Sequence, residues 1–200
     1  MYSVPMKKII LASNSPRRRE LLYRLGISFT IDPADVDETV SPGEAVGSYA
    51  VRIALAKAST TAGRVEDGVV IGADTIVVLD ANILGKPKDD KEALRMLHML
   101  SGRMHRVITG LAVVDAGTGM VSTSLAETNV WFRQLSDDEI AAYVSSREPL
   151  DKAGAYGIQD KGALLVERIE GCYFNVVGLP LSLLYNILRD FGIDLLAGTV

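Results

Sequence analysis

Residues 69–79 read VVIGADTIVVL, from Val69 to Leu79. Apolar residues fall on both parities, so the stretch reads as a central strand covered on both faces rather than one lying half in water. Its interruption is Asp74-Thr75. A carboxylate within a doubly covered strand is costly unless it meets a cation, a metal or several donors, which makes Asp74 the strongest single signal in the chain. The structural alternative is an aspartate paired with a buried lysine or capping a neighbouring helix. If the strand frays at Gly72, Asp74 opens into a cleft.

Toward the N-terminus, Lys8 to Ala12 reads as a short buried strand. Ser15-Pro16 then supplies an N-cap and a proline at the first helical position, with Leu21, Leu22 and Leu25 as an apolar face and Gly26 as the stop. Arg17-Arg18-Arg19 lies in that first turn, where the backbone dipole already points its positive end. Cations stacked there call for an anion, and the segment from Ser13 to Arg19 offers a pocket for one; the plainer reading is a solvated basic turn pairing with Glu20. A second helix is expected from Ser41-Pro42-Gly43-Glu44, which fits a capping box, to about Thr60. It would carry Tyr49, Ile53 and Ala56 on one side and Lys57 close to that side. Asp35, Asp37 and Glu38 cluster before it, hard oxygen donors that suit magnesium or manganese, although an acidic surface loop is the commoner occurrence.

Toward the C-terminus, a turn at Asp80-Ala81-Asn82 leads to Leu84-Gly85-Lys86-Pro87. Asp89-x-x-Glu92 then caps a helix with Ala93, Leu94, Leu97 and Leu100 buried and Ser101-Gly102 at its end. Val107–Val114 and Val121–Phe132 read as a hairpin around Gly117-Thr118-Gly119, and Ser136-x-x-Glu139 caps a helix to about Ser146. Asp151 to Gln159 is polar and glycine-punctuated; strands are expected around Leu164–Ile169 and Tyr173–Val177, and a last helix over Pro180–Phe191. Hairpins are as frequent as crossovers, so the expected class is α/β with a mixed β-sheet flanked by helices.

Two hundred residues at 48% hydrophobic content suffice for a single domain over 1–200, with room for two lobes around a cleft. A net charge of -4 argues against coating nucleic acid, which needs a broad basic face. The lone Cys172 forms no internal bridge, no signal-peptide core precedes the first strand and no apolar run reaches membrane-spanning length, so a cytoplasmic location without membrane partners is expected. A homodimer is compatible with the sequence, which leaves the oligomeric state open. Walker, Rossmann and G-x-S-x-G signatures are absent, and His98 and His105 lack zinc-site spacing, which leaves both as structural residues. Lys57, Lys86 and Lys152, each taken alone, read as surface lysines.

Six blocks in order, LASNSPRRRELL (Leu11–Leu22), GADTIVV (Gly72–Val78), LGKPKDDKEA (Leu84–Ala93), LSGRMHRVITG (Leu100–Gly110), EPLDKAGAYGIQ (Glu148–Gln159) and NVVGLPL (Asn175–Leu181), resemble the Maf family of nucleoside triphosphate pyrophosphatases. The resemblance implies an elongated mixed sheet with helices around a central cleft, related to the inosine triphosphate pyrophosphatases. It also implies metal-dependent cleavage of a nucleoside triphosphate between the α and β phosphorus atoms. Carried over by position, Asp74 is the proton acceptor for the attacking water. Arg17, Arg18, Lys57 and Lys86 are the phosphate cations, Ser13 belongs to the phosphate loop, and Glu38 joins Asp74 on the metal, magnesium or manganese. Arg17, Thr75 and Gln159 match the three discriminating positions of the branch acting on dTTP and UTP, with modified pyrimidine nucleotides as further candidates. The 7-methyl-GTP branch carries an aromatic, Gln and Glu there. Two positions depart from the family pattern: Asp160 stands for a usual glycine, and Cys172 for a usual acidic residue in what reads as a late strand. The rival from another class is a nucleotide-binding regulator of septum formation and cell division, with nucleotide as ligand rather than substrate.

Overall fold

Residues 69–79 form a strand over their full length in the computed structural model, which describes residues 7–197; residues 1–6 and 198–200 of the expected domain lie outside the described residues. The strand does not fray at Gly72, and every residue along it is buried except Thr75, which is half-buried. In chain order the strands are β1 (Ile9–Leu11), β2 (Phe29–Ile31), β3 (Val69–Leu79), β4 (Asn82–Leu84), β5 (Met104–Asp115), β6 (Val121–Phe132) and β7 (Val166–Glu170). Among the described residues they build one seven-stranded sheet in the order β2-β1-β3-β5-β6-β7, with β4 paired to β3. β1 runs parallel to both β2 and β3, with Ile9 opposite Val69, whereas β3–β4 and β6–β7 are antiparallel. The sheet is therefore mixed, as expected. Parallel neighbours need crossovers, and α1 (Pro16–Arg24) and α2 (Val46–Ala62) supply them. Among the described residues no helix is long and apolar enough to cross a membrane.

The chain divides into two compact units, one built from residues up to Asp74 with Gly110–Leu125 and the segment from Gly178, the other from Thr75–Thr109 and Ala126–Val177. Each has its own core. In the first, Ile10, Ala54, Ala58, Val70 and Ala112 pack together. In the second, Leu79, Leu97, Leu100, Phe132 and Tyr156 do so. The alanines of α2 let the helix lie close on the sheet, where two strand residues are glycine for the same reason. A Cβ on Gly72 would collide with the Ala54 carbonyl oxygen, and one on Gly110 with that of Ala50.

Several boundaries differ from expectation. The α1 cap is as read, Ser15 Oγ accepting from the Arg18 N–H at 3.4 Å. Leu25, however, is exposed; Ile27 is buried in its place, its N–H bonded to the Leu22 carbonyl beyond Gly26. α2 starts at Val46, not at Ser41: Gly43 has φ 75, which breaks the helical run, and Glu44 closes a turn by accepting from the Ser41 N–H. Its buried face is Tyr49, Ala50, Ile53, Ala54, Ala58 and Thr61, while Ala56 is only half-buried. α3 (Asp90–Leu100) and α4 (Asp137–Ser145) begin at their caps Asp89 and Ser136, the latter with a complete capping box. Residues 173–177 form a helix, α5 (Tyr173–Val177), rather than a strand. Five apolar residues cannot distinguish the two by pattern. What decides is Asn175, fully buried with its amide donating to the Val107 carbonyl at 3.0 Å and to Thr128 Oγ1 at 2.9 Å. Cys172 consequently precedes a helix, with its N–H and carbonyl both bonded to the Thr128 hydroxyl. The last helix is α6 (Leu181–Asp190).

Candidate active site

Within the first unit, β3 supplies Asp74, α2 supplies Lys57 and the loop between β2 and α2 supplies Glu38. Lys57 Nζ lies 2.7 Å from Asp74 Oδ1 and 2.6 Å from Glu38 Oε1, so one ammonium holds two carboxylates. The Asp74 and Lys57 side chains are 12% and 14% exposed, that of Glu38 54%. The cost of placing Asp74 in a covered strand is thus offset by a short ion pair. The loop bearing Glu38 is tied to α2 as well. The Tyr49 hydroxyl donates to the Glu38 carbonyl at 2.9 Å, and Arg52 donates to the Thr39 carbonyl while pairing with Glu44 at 2.7 Å. Burial, with Asp74 and Glu38 close by, pushes the Tyr49 phenol up to about 12, so it remains a donor. Asp35 is exposed and Asp37 accepts from the Thr39 N–H in an exposed turn; of the three acidic loop residues, Glu38 alone joins Asp74 through Lys57.

Ser13 and Arg18 form the second feature of this unit. Arg18 is buried in the first turn of α1, its Nε donating to the Gly178 carbonyl at 2.8 Å and its Nη1 to Ser13 Oγ at 3.1 Å. Ser13 Oγ also accepts from the Ser15 N–H. Burial draws the Arg18 guanidinium below its usual range; the Asp74 and Glu38 carboxylates oppose that, and Arg17 adds to it. Arg18 nonetheless stays charged, and it organises the loop as well as contributing charge. Arg17 is half-buried, and α1 has no acidic residue in its first turn. Arg17 and Arg18 both stand in the first turn of α1, where the backbone dipole also favours an anion.

In the second unit, the half-buried Thr75 places its hydroxyl 2.9 Å from that of Thr109, which donates to the Asn175 carbonyl at 3.2 Å. With its one proton engaged there, Thr109 is the acceptor toward Thr75. Lys86 is exposed between β4 and α3. Gln159 is half-buried at the head of a 3-10 turn over residues 160–165. Asp160, the departure from the family pattern, has φ 51, a left-handed conformation that favours glycine and that Asp tolerates better than most residues. Lys152 binds the Glu148 carbonyl and Asp151. His105 is a core residue: its Nε2 is 2.7 Å from the Tyr156 hydroxyl, Phe132 packs edge-on against it, and burial brings it down to about 4, which keeps it neutral.

Among the described residues no group of three or more His, Cys, Asp or Glu side chains converges. Magnesium is commonly held by one or two carboxylates completed by water and substrate phosphate oxygens, and Asp74 with Glu38 fits that donor set. Tyr49, Arg52, Thr109 and Asn175 were not legible as site supports. Their partners lie between 8 and 68 positions away, and the only signal was a hydroxyl on an otherwise apolar helix face.

The Maf-like protein family matches residues 8–191. A dTTP/UTP pyrophosphatase of Moorella thermoacetica is 54% identical over 189 residues, covering 94% of this chain and 97% of that protein. Another, of Acetivibrio thermocellus, is 51% identical over 198 residues, covering 96% and 98%. Among solved structures, a HAM1 protein from Coxiella burnetii aligns with a TM-score of 0.54 at 15% identity, over 92% of this chain and 100% of that one, a likeness of fold alone. With its sequence blocks matched from end to end and close relatives covering nearly its whole length, the chain belongs to the Maf-like protein family.

Proposed function

We propose that the chain is a dTTP/UTP pyrophosphatase, hydrolysing the nucleotide to its monophosphate and pyrophosphate. The observation that carries the chemistry is the Asp74–Lys57–Glu38 arrangement beside the arginine-bearing N-terminus of α1. The names of the relatives supply the substrate class. In this reading Asp74 accepts the proton of a water that attacks the α phosphorus, and the bond from that phosphorus to the bridging oxygen breaks as pyrophosphate leaves. Arg17, Arg18, Lys57 and Lys86 stabilise the negative charge that grows on the leaving group, and Ser13 shapes the loop that receives it. Asp74 and Glu38 would hold a divalent cation, magnesium or manganese, which when bound neutralises phosphate charge and polarises the reacting group. Gln159 offers an amide donor and acceptor that match the O4 and N3–H edge of thymine or uracil, with Arg17 and Thr75 completing the selection. The working compartment is the cytoplasm, where nucleoside triphosphates are available.

The test is product analysis on the purified protein with dTTP, UTP, CTP and 7-methyl-GTP. Monophosphate and pyrophosphate should accumulate over many turnovers, fastest with dTTP and UTP, and stop in chelator. Orthophosphate as first product with an undiminished rate in chelator would overturn the reading, and tight binding without turnover would favour a regulator.

A further inference from the structure

We propose that Tyr143 and Glu148 act as positioning residues for base selection: together they pin the neck of a short loop, residues 157–162, whose tip carries Gln159. The inference rests on the reading of Gln159 as the group that selects the base. The Tyr143 hydroxyl gives its one proton to Glu148 Oε1 at 2.9 Å and accepts the Gly157 N–H at 3.3 Å. Glu148 Oε1 also accepts the Gly162 N–H at 3.1 Å, and Oε2 accepts the Lys161 N–H at 3.3 Å. Both limbs of the loop therefore end on one hydroxyl–carboxylate pair. They meet so closely that a Cβ on Gly162 would collide with the Gly157 carbonyl oxygen and stand 2.8 Å from the Tyr143 hydroxyl. Between the limbs Ile158 is buried, Gln159 is extended at φ -91 and Asp160 reverses the chain at φ 51. In so short a loop, fixing the neck fixes the backbone that aims the Gln159 amide.

The pair is itself placed by its surroundings rather than by the loop. Tyr143 is 5% exposed on α4, packed in the core of the second unit with Ile140 and Val144. After α4, Arg147 turns the chain at φ 64 and Ser146 Oγ accepts the Glu148 N–H at 3.3 Å, while the Glu148 carbonyl accepts from Lys152 Nζ at 2.6 Å. Burial pushes the Tyr143 phenol above its ordinary range, the Gly157 N–H working against this and the Glu148 carboxylate with it, so the hydroxyl remains a donor. Its bond to a carboxylate is of the stronger, charge-assisted kind. The Tyr143 ring thus serves the core and its hydroxyl the loop, and removing one oxygen atom separates the two. On the other side of the pair, Glu148→Gln keeps the size but leaves one acceptor oxygen for three donors.

The test joins amide hydrogen exchange, read by NMR at Gly157, Lys161 and Gly162, to steady-state kinetics on dTTP, UTP and 7-methyl-GTP in magnesium. Y143F and E148Q should each speed exchange at the three amides about 10-fold or more. Each should also raise KM for dTTP and UTP about 10-fold, with kcat held within about twofold and 7-methyl-GTP little changed. Q159A should narrow the substrate ranking by itself, and Y143F should add less than about twofold to it, because the two act as one unit. E148Q takes the place of Y143F in the double variant if the latter does not fold. Faster exchange with KM and ranking unchanged makes the pair a brace of the fold and overturns the proposal. So does an equal loss of kcat on every nucleotide, a Y143F effect undiminished in Q159A, or unaltered exchange at the three amides. A wild type that turns over none of these nucleotides, or a Q159A with the wild-type ranking, removes the underlying reading, and the proposal with it, whatever the amides show.

Discussion

Asp74 is buried in a central strand and paired with Lys57, and in the proposed reaction it is the proton acceptor. Asp74→Asn keeps the shape and leaves Lys57 paired with Glu38, so the fold should survive while kcat falls at least about 100-fold through loss of the proton acceptor. Pyrophosphate release alongside a thermal melt checks both halves. Gln159→Glu removes the amide donor and sets an acceptor against the pyrimidine O4. An unpaired contact of this kind costs about 1–3 kcal/mol, so kcat/KM for dTTP and UTP should drop roughly 10- to 100-fold while 7-methyl-GTP suffers less. An unchanged substrate ranking would remove Gln159 from base reading. Its neighbour Asp160 stands where the family usually has glycine, and its φ of 51 is the left-handed backbone that glycine adopts most easily. Asp160→Gly should leave both stability and substrate ranking nearly unchanged, whereas Asp160→Val should lose about 1–2 kcal/mol because a β-branched residue resists the left-handed region. Paired urea melts measure the difference.

Lys57 is only as well placed as α2, and α2 is placed by small residues. Gly72→Ala or Gly110→Ala forces the helix off the sheet, since the added methyl meets backbone carbonyls rather than a flexible side chain. Overpacking of this sort costs about 1–3 kcal/mol; it should also lower kcat by moving Lys57, which lies three residues beyond Ala54. Denaturation midpoints and turnover at a permissive temperature separate the two effects. At this scale the elements with local punctuation were legible: Ser15-Pro16, Asp89 and Ser136 each mark a helix start that the structure reproduces. The capping-box pattern at Ser41 misled because Gly43 turns the chain before the helix can begin. The strand expected over 173–177 became α5 because a buried asparagine bonds to β5 and β6, contacts no local pattern encodes.

Across the whole molecule, pH should act on stability through His105. It is 1% exposed, and burial holds it near 4 against an ordinary 6.5, so the folded protein stays unprotonated there while the unfolded chain takes up a proton. A depressed histidine contributes stability that is complete above the unfolded value and is lost as pH falls toward the folded one. Between pH 6.5 and 5, a window in which the ordinary carboxylates are mostly silent, the loss should be on the order of 2 kcal/mol. His105→Gln should flatten that slope, as urea melts at the two pH values would show. By itself the sequence determined that Asp74 lies in a covered central strand and that Arg17 and Arg18 open a helix. A charge inside an unbroken apolar run demands a partner whatever the fold, and periodicity marks helices and strands from neighbouring residues alone. Tertiary structure decided that the partner is Lys57, that Glu38 shares it, that Tyr49 and Arg52 hold the Glu38 loop, and that Arg18 braces its own loop against Gly178. Those contacts join residues 11 to 160 positions apart, and a pairing over such a distance is selected by the packing of α1, α2 and β3, not by any local rule of the chain.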